Sequence, residues 1–391
     1  MIVSYLHLKN WKNFCSVDVP LKNRVFLAGP NACGKSNFLD AFKFLRDIVK
    51  SGGGLQQAVQ DRGGISKIRC LSARREPNVE IEVHLSNGAD DKPLWKYNIA
   101  LKQQPRGSRL PLLVYEKIWR GDQQILNRPD DSDRKDALRL SQTHLEQISA
   151  NQEFREVATF FDSVLYLHLV PQLVRNPNAF TGPGLPGDPF GRNFLERVMK
   201  TQQRTRRSRL KRIEQALIRA VPQLKDLTDV LDKTTGTPHL EAVYEHWRPQ
   251  GAKQREDQFS DGTLRLIALL WSLLESAPLL LLEEPELSLN AAIIRTLPAI
   301  IHRLQAKEKR QTIISTHSWE LLSDKGIGGE EVLLMTPTIE GTQVQVASTI
   351  KEVRDLLESG LSPAEAVIPL TEPKKCQQLL LNDLYSNKSG V

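Results

Sequence analysis

The residues from Gly29 to Ser36, GPNACGKS, match the pattern G-x-x-x-x-G-K-[ST]. An aliphatic segment, RVFLAG, leads into the loop, and an amphipathic helical pattern, SNFLDAFKFLRDIV, begins at its end. A loop between a strand and a helix directs backbone N–H groups and the positive end of the helix dipole at phosphate oxygens. We therefore predict a triphosphate site in which Lys35 contacts the β- and γ-phosphates and the Ser36 hydroxyl coordinates Mg²⁺. The predicted nucleotide contacts of this loop are Gly29, Pro30, Asn31, Ala32, Cys33, Gly34, Lys35, Ser36 and Asn37.

A second segment, LLLLEEPELSLN at residues 279–290, is an aliphatic run that ends in two glutamates. Such a run predicts a strand buried on both faces, and ligands of open α/β sheets bind beyond the carboxyl ends of these strands. We predict that Glu283 holds the magnesium ion, directly or through water. Glu284 is then predicted to be the general base that orients and deprotonates the attacking water.

A third segment, QTIISTHS, predicts a neighbouring strand with His317 beyond its carboxyl end. A lone histidine is usually structural. The position of His317 after an aliphatic strand favours a contact with the γ-phosphate, because parallel strands end at one edge of the sheet. Lys35, Glu284 and His317 are therefore the predicted catalytic residues.

The segment FSDGTLR, residues 259–265, stands ahead of a long apolar helical pattern. Ser260 and Asp261 are favourable N-cap residues, and Gly262 allows the backbone to come close to a ligand. An exposed helix N-terminus has free N–H groups, so we predict a second anion site at Ser260, Asp261 and Gly262. Taken alone, the segment would be interpreted as an ordinary helix cap.

The order of the remaining elements predicts the sheet that must align these motifs. Strands alternate with helices around the phosphate loop and again between residues 262 and 316, which implies a parallel sheet with right-handed crossovers. Antiparallel strands are predicted between residues 79 and 119, and long helices at about 191–220 and 290–306. Five prolines and four glycines between residues 171 and 191 predict an irregular loop. We assign an N-terminal lobe to 1–130, a helical insertion to 131–250, a C-terminal lobe to 251–350 and small helices to 351–391.

Composition limits the class of protein. The 391 residues include 53 Lys+Arg and 46 Asp+Glu, a net charge of +7 that mildly favours anionic partners. The four cysteines are scattered without a C-x-x-C pair, so neither a zinc site nor a disulfide framework is predicted. The N-terminus lacks the layout of a signal peptide, and no window resembles a membrane span. A soluble cytoplasmic protein without a membrane partner is expected.

The order of these motifs resembles the head of the ATP-binding-cassette (ABC) ATPases, a class of P-loop NTPase. The strings NWKNF, GKSN, SDGT and EEPE resemble the branch of SMC, RecF and related recombination ATPases, and most closely the ATPase domain of OLD-family bacterial antiphage proteins. Glu283 stands where the larger family has aspartate. The resemblance covers residues 1 to about 50 and 255–335, and the interior matches only in its general position.

The resemblance implies ATP and Mg²⁺ as cofactors and a homodimer of two heads that close face to face. Ser260 and Gly262 of one copy would then touch the γ-phosphate held by the other, and Asn290 would line the same seam. ATP would hold the two heads together, and its hydrolysis would let them separate. The glutamine that couples nucleotide to the insertion in this family is left open between Gln56, Gln57 and Gln60.

The resemblance also leaves the biological role open. Residues 318–391 contain no D-x-D pair, so no nuclease activity is expected. The expected partners in antiphage defence are a separately encoded effector, a nuclease or a toxin, and further copies of the chain in a homodimer or a higher homo-oligomer. The alternative is a RecF-like repair ATPase, and a transporter subunit is the weakest candidate. Residues 192–212 hold nine Lys/Arg against one acid. The Arg204–Arg212 region is therefore a DNA or RNA contact, a solvated helix face or a docking site for an acidic partner.

Overall fold

The computed structural model of the chain describes residues 1–73, 76–104, 109–177, 188, 190–247, 251–308 and 310–372. Its centre is a six-stranded sheet with the strand order β15-β14-β3-β13-β12-β8. These strands are β3 (Arg24–Ala28), β8 (Leu165–Leu167), β12 (Leu279–Glu283), β13 (Gln311–Thr316), β14 (Val332–Thr338) and β15 (Gly341–Val346). Neighbouring strands are parallel except β14 and β15, which form an antiparallel hairpin at one edge. The predicted α/β fold with a mixed, mainly parallel core sheet is confirmed.

The register of this sheet brings the predicted motifs together at the carboxyl-terminal ends of its parallel strands. Ala28 lies opposite Thr316, and Glu283 lies opposite Ser315, so β3, β13 and β12 end side by side. The leucines of β12 are fully buried, as expected for a parallel strand covered on both faces. The phosphate loop, the two glutamates and His317 therefore leave the sheet at the same end.

A second, antiparallel sheet has the strand order β2-β1-β4-β5-β6-β7. Its strands are β1 (Ile2–Trp11), β2 (Phe14–Pro20), β4 (Val79–Ser86), β5 (Trp95–Gln103), β6 (Pro111–Arg120) and β7 (Gln123–Arg128). The predicted antiparallel strands correspond to β4, β5 and β6, and residues 105–108, between β5 and β6, lie outside the described residues. The edge strand β7, QQILNR, was not predicted because four of its six side chains are polar. A third sheet, β11-β10-β9, consists of β9 (Leu224–Leu231), β10 (Pro238–Tyr244) and β11 (Ala252–Arg255).

The helices of the described residues pack around these sheets. They are α1 (Lys35–Val49), α2 (Leu55–Gln60), α3 (Ile65–Ile68), α4 (Asp131–Lys135), α5 (Arg155–Asp162), α6 (Pro171–Arg175), α7 (Phe194–Lys200), α8 (Gln203–Ala220), α9 (Asp261–Leu274), α10 (Ala291–Ile294), α11 (Leu297–Glu308), α12 (Trp319–Leu322), α13 (Lys351–Glu358) and α14 (Pro363–Thr371). Within the described part of the chain, no helix has the length and apolar character needed to cross a membrane. The predicted C-terminal helices correspond to α13 and α14, and residues 373–391 lie outside the described residues.

Two apolar cores cover the two faces of the central sheet. Val25 and Leu27 of β3 face the first core, which also contains the phenylalanines of α1 and the inner face of the antiparallel sheet. Phe26 and Ala28 face the second core, built with α8, α9 and α11. This alternation follows from the two-residue period of a strand. The phosphate-loop strand is thus held from both sides.

The predicted helix at about 191–220 is two helices, because α7 ends at Lys200 and α8 begins at Gln203. The guanidinium of Arg206 donates to the carbonyls of Met199 and Thr201, which satisfies the free carboxyl end of α7.

Two further predictions differ from the structure. The predicted helix at 290–306 is interrupted before α11, where Pro298 lacks the N–H that a continuing helix needs. The predicted loop at 171–191 contains α6, with Pro171 at its favourable first turn. Residues 178–187 and 189 of that loop lie outside the described residues.

Candidate nucleotide site

Lys35 lies at the centre of the candidate site, beyond the carboxyl-terminal ends of β3, β12 and β13. Its ammonium donates to the carbonyls of Gly29 (3.1 Å) and Pro30 (3.3 Å), and His317 Nε2 is 2.6 Å from Lys35 Nζ. Burial lowers the pKa of Lys35, and the carboxylates Glu283 and Glu284 act in the opposite direction. The loop therefore folds back on its own lysine, and β13 brings His317 to it. The predicted contact of His317 with the γ-phosphate stays a prediction.

The loop geometry depends on Gly34 and on Asn13. Gly34 has φ 100°, and a Cβ there would lie 2.2 Å from Asn13 Nδ2. Asn13 donates to the carbonyl of Cys33 (2.7 Å), and Asn37 donates back to Asn13 Oδ1 (2.8 Å). Sequence reasoning missed this brace, although Asn13 belongs to the NWKNF string that supported the resemblance.

The helix that follows the loop is open at its N-terminus. α1 begins at Lys35 after Gly34, and no side chain caps its first turn. Its leading N–H groups are therefore free to meet an anion, in line with the predicted role of the loop.

Glu283 is held by two hydroxyl groups from distant parts of the chain. The Ser36 hydroxyl donates to Glu283 Oε1, and the Tyr166 hydroxyl donates to Glu283 Oε2. Tyr166 lies on β8, the neighbour of β12, and Lys43 Nζ sits 4.0 Å above its ring centroid. Burial and the nearby Glu283 carboxylate raise the pKa of Tyr166, so its hydroxyl remains a donor. Tyr166 is a site residue that sequence reasoning missed.

Glu284 leaves the strand in the left-handed region, with φ 45°. Its N–H donates to the carbonyl of Ser315 (3.0 Å), and its carboxylate Oε1 lies 3.3 Å from His317 Nε2. The hydrogen bond from His317 lowers the pKa of Glu284, so this carboxyl is ionised at neutral pH. The backbone turn separates the two acids, with Glu283 directed at Ser36 and Glu284 at His317.

Glu286 supports the histidine from beneath. It is buried, and it accepts hydrogen bonds from the Thr316 hydroxyl (2.5 Å) and from the His317 backbone N–H (3.2 Å). Burial raises the pKa of Glu286. The third glutamate of EEPE therefore fixes the end of β13, a role that the sequence did not reveal.

The FSDGTLR segment contains the N-terminus of α9, and Ser260 is its N-cap residue. Ser260, Asp261 and Gly262 are called the tip of α9. Ser260 accepts a hydrogen bond from the Thr263 N–H (3.2 Å). A Cβ on Gly262 would lie 2.5 Å from the carbonyl oxygen of Ser288, so the close approach that this glycine allows is to its own chain. A cavity of about 170 Å³ remains between the tip and the segment after the two glutamates, and it is lined by residues that include Ser260, Thr263, Leu289 and Asn290.

The second tip residue, Asp261, is paired within the chain. Arg175 Nη1 lies 2.5 Å from Asp261 Oδ1, and Arg175 also donates to the Phe259 carbonyl (2.6 Å). Gln172 Nε2 donates to Asp261 Oδ2 (3.3 Å). α6 thus holds the tip in place, and neither Arg175 nor Gln172 was singled out from the sequence.

The candidate coupling glutamines lie apart from this edge. Gln56 donates to the carbonyls of Pro111 (2.9 Å) and Ser141 (2.6 Å), which belong to the antiparallel sheet and the insertion. Gln57 donates to Asp61, and Gln60 is exposed. The structure gives none of them a contact with the converging site residues.

The basic stretch divides into inward and outward cations. Arg206 pairs with Asp229 (2.9 Å), and the Arg209 guanidinium stacks 5.3 Å from the Trp271 ring centroid. The exposed cations of α8 within the predicted region are Arg204, Arg207, Lys211 and Arg212. Helical spacing places Arg204, Arg207 and Lys211 on one stripe.

Comparison with known proteins identifies the family. A family model described as "AAA domain, putative AbiEii toxin, Type IV TA system" matches residues 24–323, from the start of β3 to just beyond α12. The chain belongs to this family. The match includes the phosphate loop, both glutamates, His317 and the start of α9, so the predicted ATPase class is confirmed at this level. No curated protein matches the sequence.

Solved structures match the fold of this family member. The SMC head bound to the C-winged helix domain of ScpA matches with a TM-score of 0.54 and 16% identity, covering 88% of this chain and 98% of that chain. An SMC head with an extended coiled coil, bound to the C-terminal domain of ScpA from Pyrococcus furiosus, matches with a TM-score of 0.51 and 13% identity, covering 92% and 99%. These likenesses show the ABC ATPase head fold of a P-loop NTPase. The closer placement beside OLD-family proteins stays a prediction.

Proposed function

We propose that the protein binds ATP with Mg²⁺, hydrolyses it, and closes as a homodimer around the nucleotide. The observation that supports this proposal is the convergence of Lys35, Ser36, Glu283, Glu284 and His317 at one edge of the central sheet. A phosphate anchor, a pair of oxygen donors for a hard cation, and an ionised carboxylate are the parts that phosphoryl transfer to water requires.

The residues fit a triphosphate and its metal. The uncapped first turn of α1 and the Lys35 ammonium are suited to phosphate oxygens. The Ser36 hydroxyl and the Glu283 carboxylate are the oxygen donors that Mg²⁺ accepts beside water and phosphate. No group of three or more His, Cys, Asp or Glu that could hold a metal occurs among the described residues, which suits a metal that takes most of its ligands from water and nucleotide.

The chain's own residues divide the work of hydrolysis. When bound, the magnesium ion neutralises charge on the β- and γ-phosphate oxygens. Lys35 binds the same oxygens, and Glu284 accepts a hydrogen bond from the attacking water. Because the hydrogen bond from His317 lowers the pKa of Glu284, this carboxyl is ionised at neutral pH and is available to orient the attacking water and to accept its proton. His317 Nε2 lies 2.6 Å from Lys35 Nζ and 3.3 Å from Glu284 Oε1, so this one ring nitrogen either accepts from Lys35 or donates to Glu284.

The dimer is proposed from the exposed tip of α9. Ser260 is exposed, and Gly262 is only partly covered, by the Ser288 carbonyl. The tip therefore offers a serine hydroxyl and helix N–H groups to a second copy, with Asn290 beside it in the same cavity. In this arrangement each copy supplies half of each site, and ATP joins the two.

The substitution Glu284→Gln tests this proposal. It keeps the shape and hydrogen bonding of the side chain and removes its charge, so ATP binding should persist while hydrolysis falls by about 100-fold or more. The trapped protein should run as a dimer in ATP and as a monomer without it, measured by light scattering after size exclusion. Glu358→Gln, at an exposed acid on α13, is the matched control and should hydrolyse ATP at the wild-type rate. Unchanged turnover in Glu284→Gln would remove Glu284 from this role.

For the cell, we propose a cytoplasmic regulator or scaffold of a separately encoded effector in bacterial antiphage defence, with no nuclease activity of its own. The family description names a putative AbiEii toxin and a Type IV TA system, and the ABC-head relatives are bound to a partner protein, ScpA. Affinity capture from the native host, with wild type and Glu284→Gln compared in ATP, should recover one effector enriched by the trapped form.

The exposed cations of α8 favour a second candidate, a RecF-like ATPase that binds DNA. If they grip phosphates, binding to duplex DNA should weaken steeply with salt, and each exposed cation replaced by glutamine should reduce the log–log salt slope by about one. If DNA binding and its salt dependence do not change in these variants, the exposed cations of α8 are a solvated helix face and not a DNA contact.

A further inference from the structure

Cys15 and Cys70 lie side by side although 55 positions separate them in sequence, with their Sγ atoms 3.6 Å apart. Cys15, on β2, is partly exposed, and Cys70 is buried just after α3. The backbone beside Cys70 is docked on β1, the strand that pairs with the β2 strand of Cys15: the Cys70 N–H donates to the Asn10 carbonyl (2.9 Å), and Trp11 pairs with Arg69. Joining the two sulfurs needs mainly side-chain movement.

The geometry points to a disulfide-forming dithiol, a modification site that takes two-electron oxidants of the peroxide class. Both thiols first lose their protons to solvent. The thiolate of the partly exposed Cys15 then attacks a peroxide oxygen, the O–O bond breaks, the hydroxide that leaves takes up one of these protons as water, and a sulfenic acid forms. The Cys70 thiolate then attacks that sulfur, which forms the S–S bond and releases the second water. Two thiols are oxidised and one peroxide is reduced. Burial raises the pKa of the Cys15 thiol, and the reaction is therefore slower at neutral pH than that of a free thiol because less of the attacking thiolate is present.

The position of this pair gives the cross-link a structural effect. Cys15 directly follows the β1–β2 turn that braces the phosphate loop: Trp11 Nε1 donates to the Asn37 carbonyl (2.8 Å), and Asn13 donates to the Cys33 carbonyl (2.7 Å). A bond between Cys15 and Cys70 encloses the phosphate loop and α1 within one covalent ring. Such a ring restricts the unfolded chain and so stabilises the folded one.

The test uses the full-length chain with hydrogen peroxide under non-denaturing conditions. Peptide mapping should recover a cross-linked peptide containing Cys15 and Cys70, and the Tm of the oxidised chain should rise by roughly 5 °C and return on reduction. Cys15→Ser should lose both signals. Cys376→Ser, which leaves the pair intact, is the matched control and should keep both.

Cys70→Ser should behave as Cys15→Ser does, but this buried site also risks misfolding, so the partly exposed Cys15 is the decisive variant. A folded wild-type chain that shows no Cys15–Cys70 peptide in excess peroxide would overturn the proposal. So would a cross-link found only between chains or only to Cys33 or Cys376. An unchanged Tm of the cross-linked chain would contradict the proposed stabilisation of the folded chain.

Discussion

At the scale of single residues, Glu283, the proposed magnesium ligand, is positioned by hydroxyl groups from two distant parts of the chain. Ser36 and Tyr166 each donate to a different oxygen of Glu283. A carboxylate held at both oxygens keeps one orientation, and outer partners of this kind tune metal affinity. Tyr166 is therefore a positioning residue rather than a catalytic one.

The substitution Tyr166→Phe isolates this hydroxyl, because the buried ring and its contact with Lys43 remain. The concentration of Mg²⁺ that half-saturates ATP hydrolysis should rise by about 10-fold, while nucleotide binding without metal stays the same. Magnesium titrations of the hydrolysis rate and metal-free nucleotide titrations separate the two effects. Tyr115→Phe removes a hydroxyl that donates to Glu80 (3.0 Å) in the antiparallel sheet, and this control should leave the magnesium curve in place. A curve that does not move in Tyr166→Phe would show that Ser36 alone orients Glu283.

At the scale of elements, the insertion is fastened to the antiparallel sheet by one buried arginine. Arg128 ends β7, is fully buried, and donates to both oxygens of Asp133 (2.9 and 2.8 Å) and to Glu116 (3.1 Å). It also donates to the carbonyls of Arg139 and Gln142. The segment after β7, which contains α4, is thus held by charge as well as by packing.

Arg128→Met should destabilise the protein by about 3–5 kcal/mol, since it leaves the buried Glu116 without its cation and leaves the buried Asp133 only its pair with the partly exposed Arg139. The hydrogen bonds from Arg128 lower the pKa of Asp133 in the folded protein. The contribution of Asp133 to the free energy of unfolding is therefore fully present above about pH 4 and is lost as the pH falls and this carboxylate is protonated. Urea unfolding at neutral and acidic pH measures both effects, and the acid dependence should shrink in Arg128→Met. The exposed Arg134→Met, which breaks a surface pair with Asp131, should change stability by under about 1 kcal/mol. A loss as small in Arg128→Met would mean that the buried acids find other partners.

The positions of the site residues on strands, turns and helices explain which of them could be predicted from the sequence. The phosphate loop, the paired glutamates and His317 were predictable because each motif is a short string at the end of an aliphatic strand. Tyr166 and Asn13 were not, because they reach the site through strand order and through a turn. The break between α7 and α8 was missed because Arg206, within the following helix, caps the end of α7.

At the scale of the whole molecule, the proposed dimer predicts complementation between two inactive chains. Lys35→Met removes the phosphate anchor of a copy, and Ser260→Arg blocks its tip. Each variant alone should be inactive, whereas an equal mixture forms mixed dimers with one intact site. Random pairing should then restore about a quarter of the wild-type rate.

Hydrolysis measured across a mixing series tests this arrangement. The rate should follow a bell shape with its maximum at equal proportions. A mixture of Lys35→Met and Glu284→Gln is the matched control, because both changes affect the same half-site and no mixed dimer has an intact one. Failure of the first mixture to recover activity, with both chains folded, would contradict the shared site.

The strand order has a consequence for how this molecule is made. β3 lies between β13 and β14, and Asn13, which braces the phosphate loop, also donates to Thr342 Oγ1 (2.8 Å). A ribosome finishes the loop early, but its flanking strands are synthesised almost last. The nascent chain therefore has no assembled pocket for nucleotide until nearly all of it has emerged, and truncated products stay inert toward ATP.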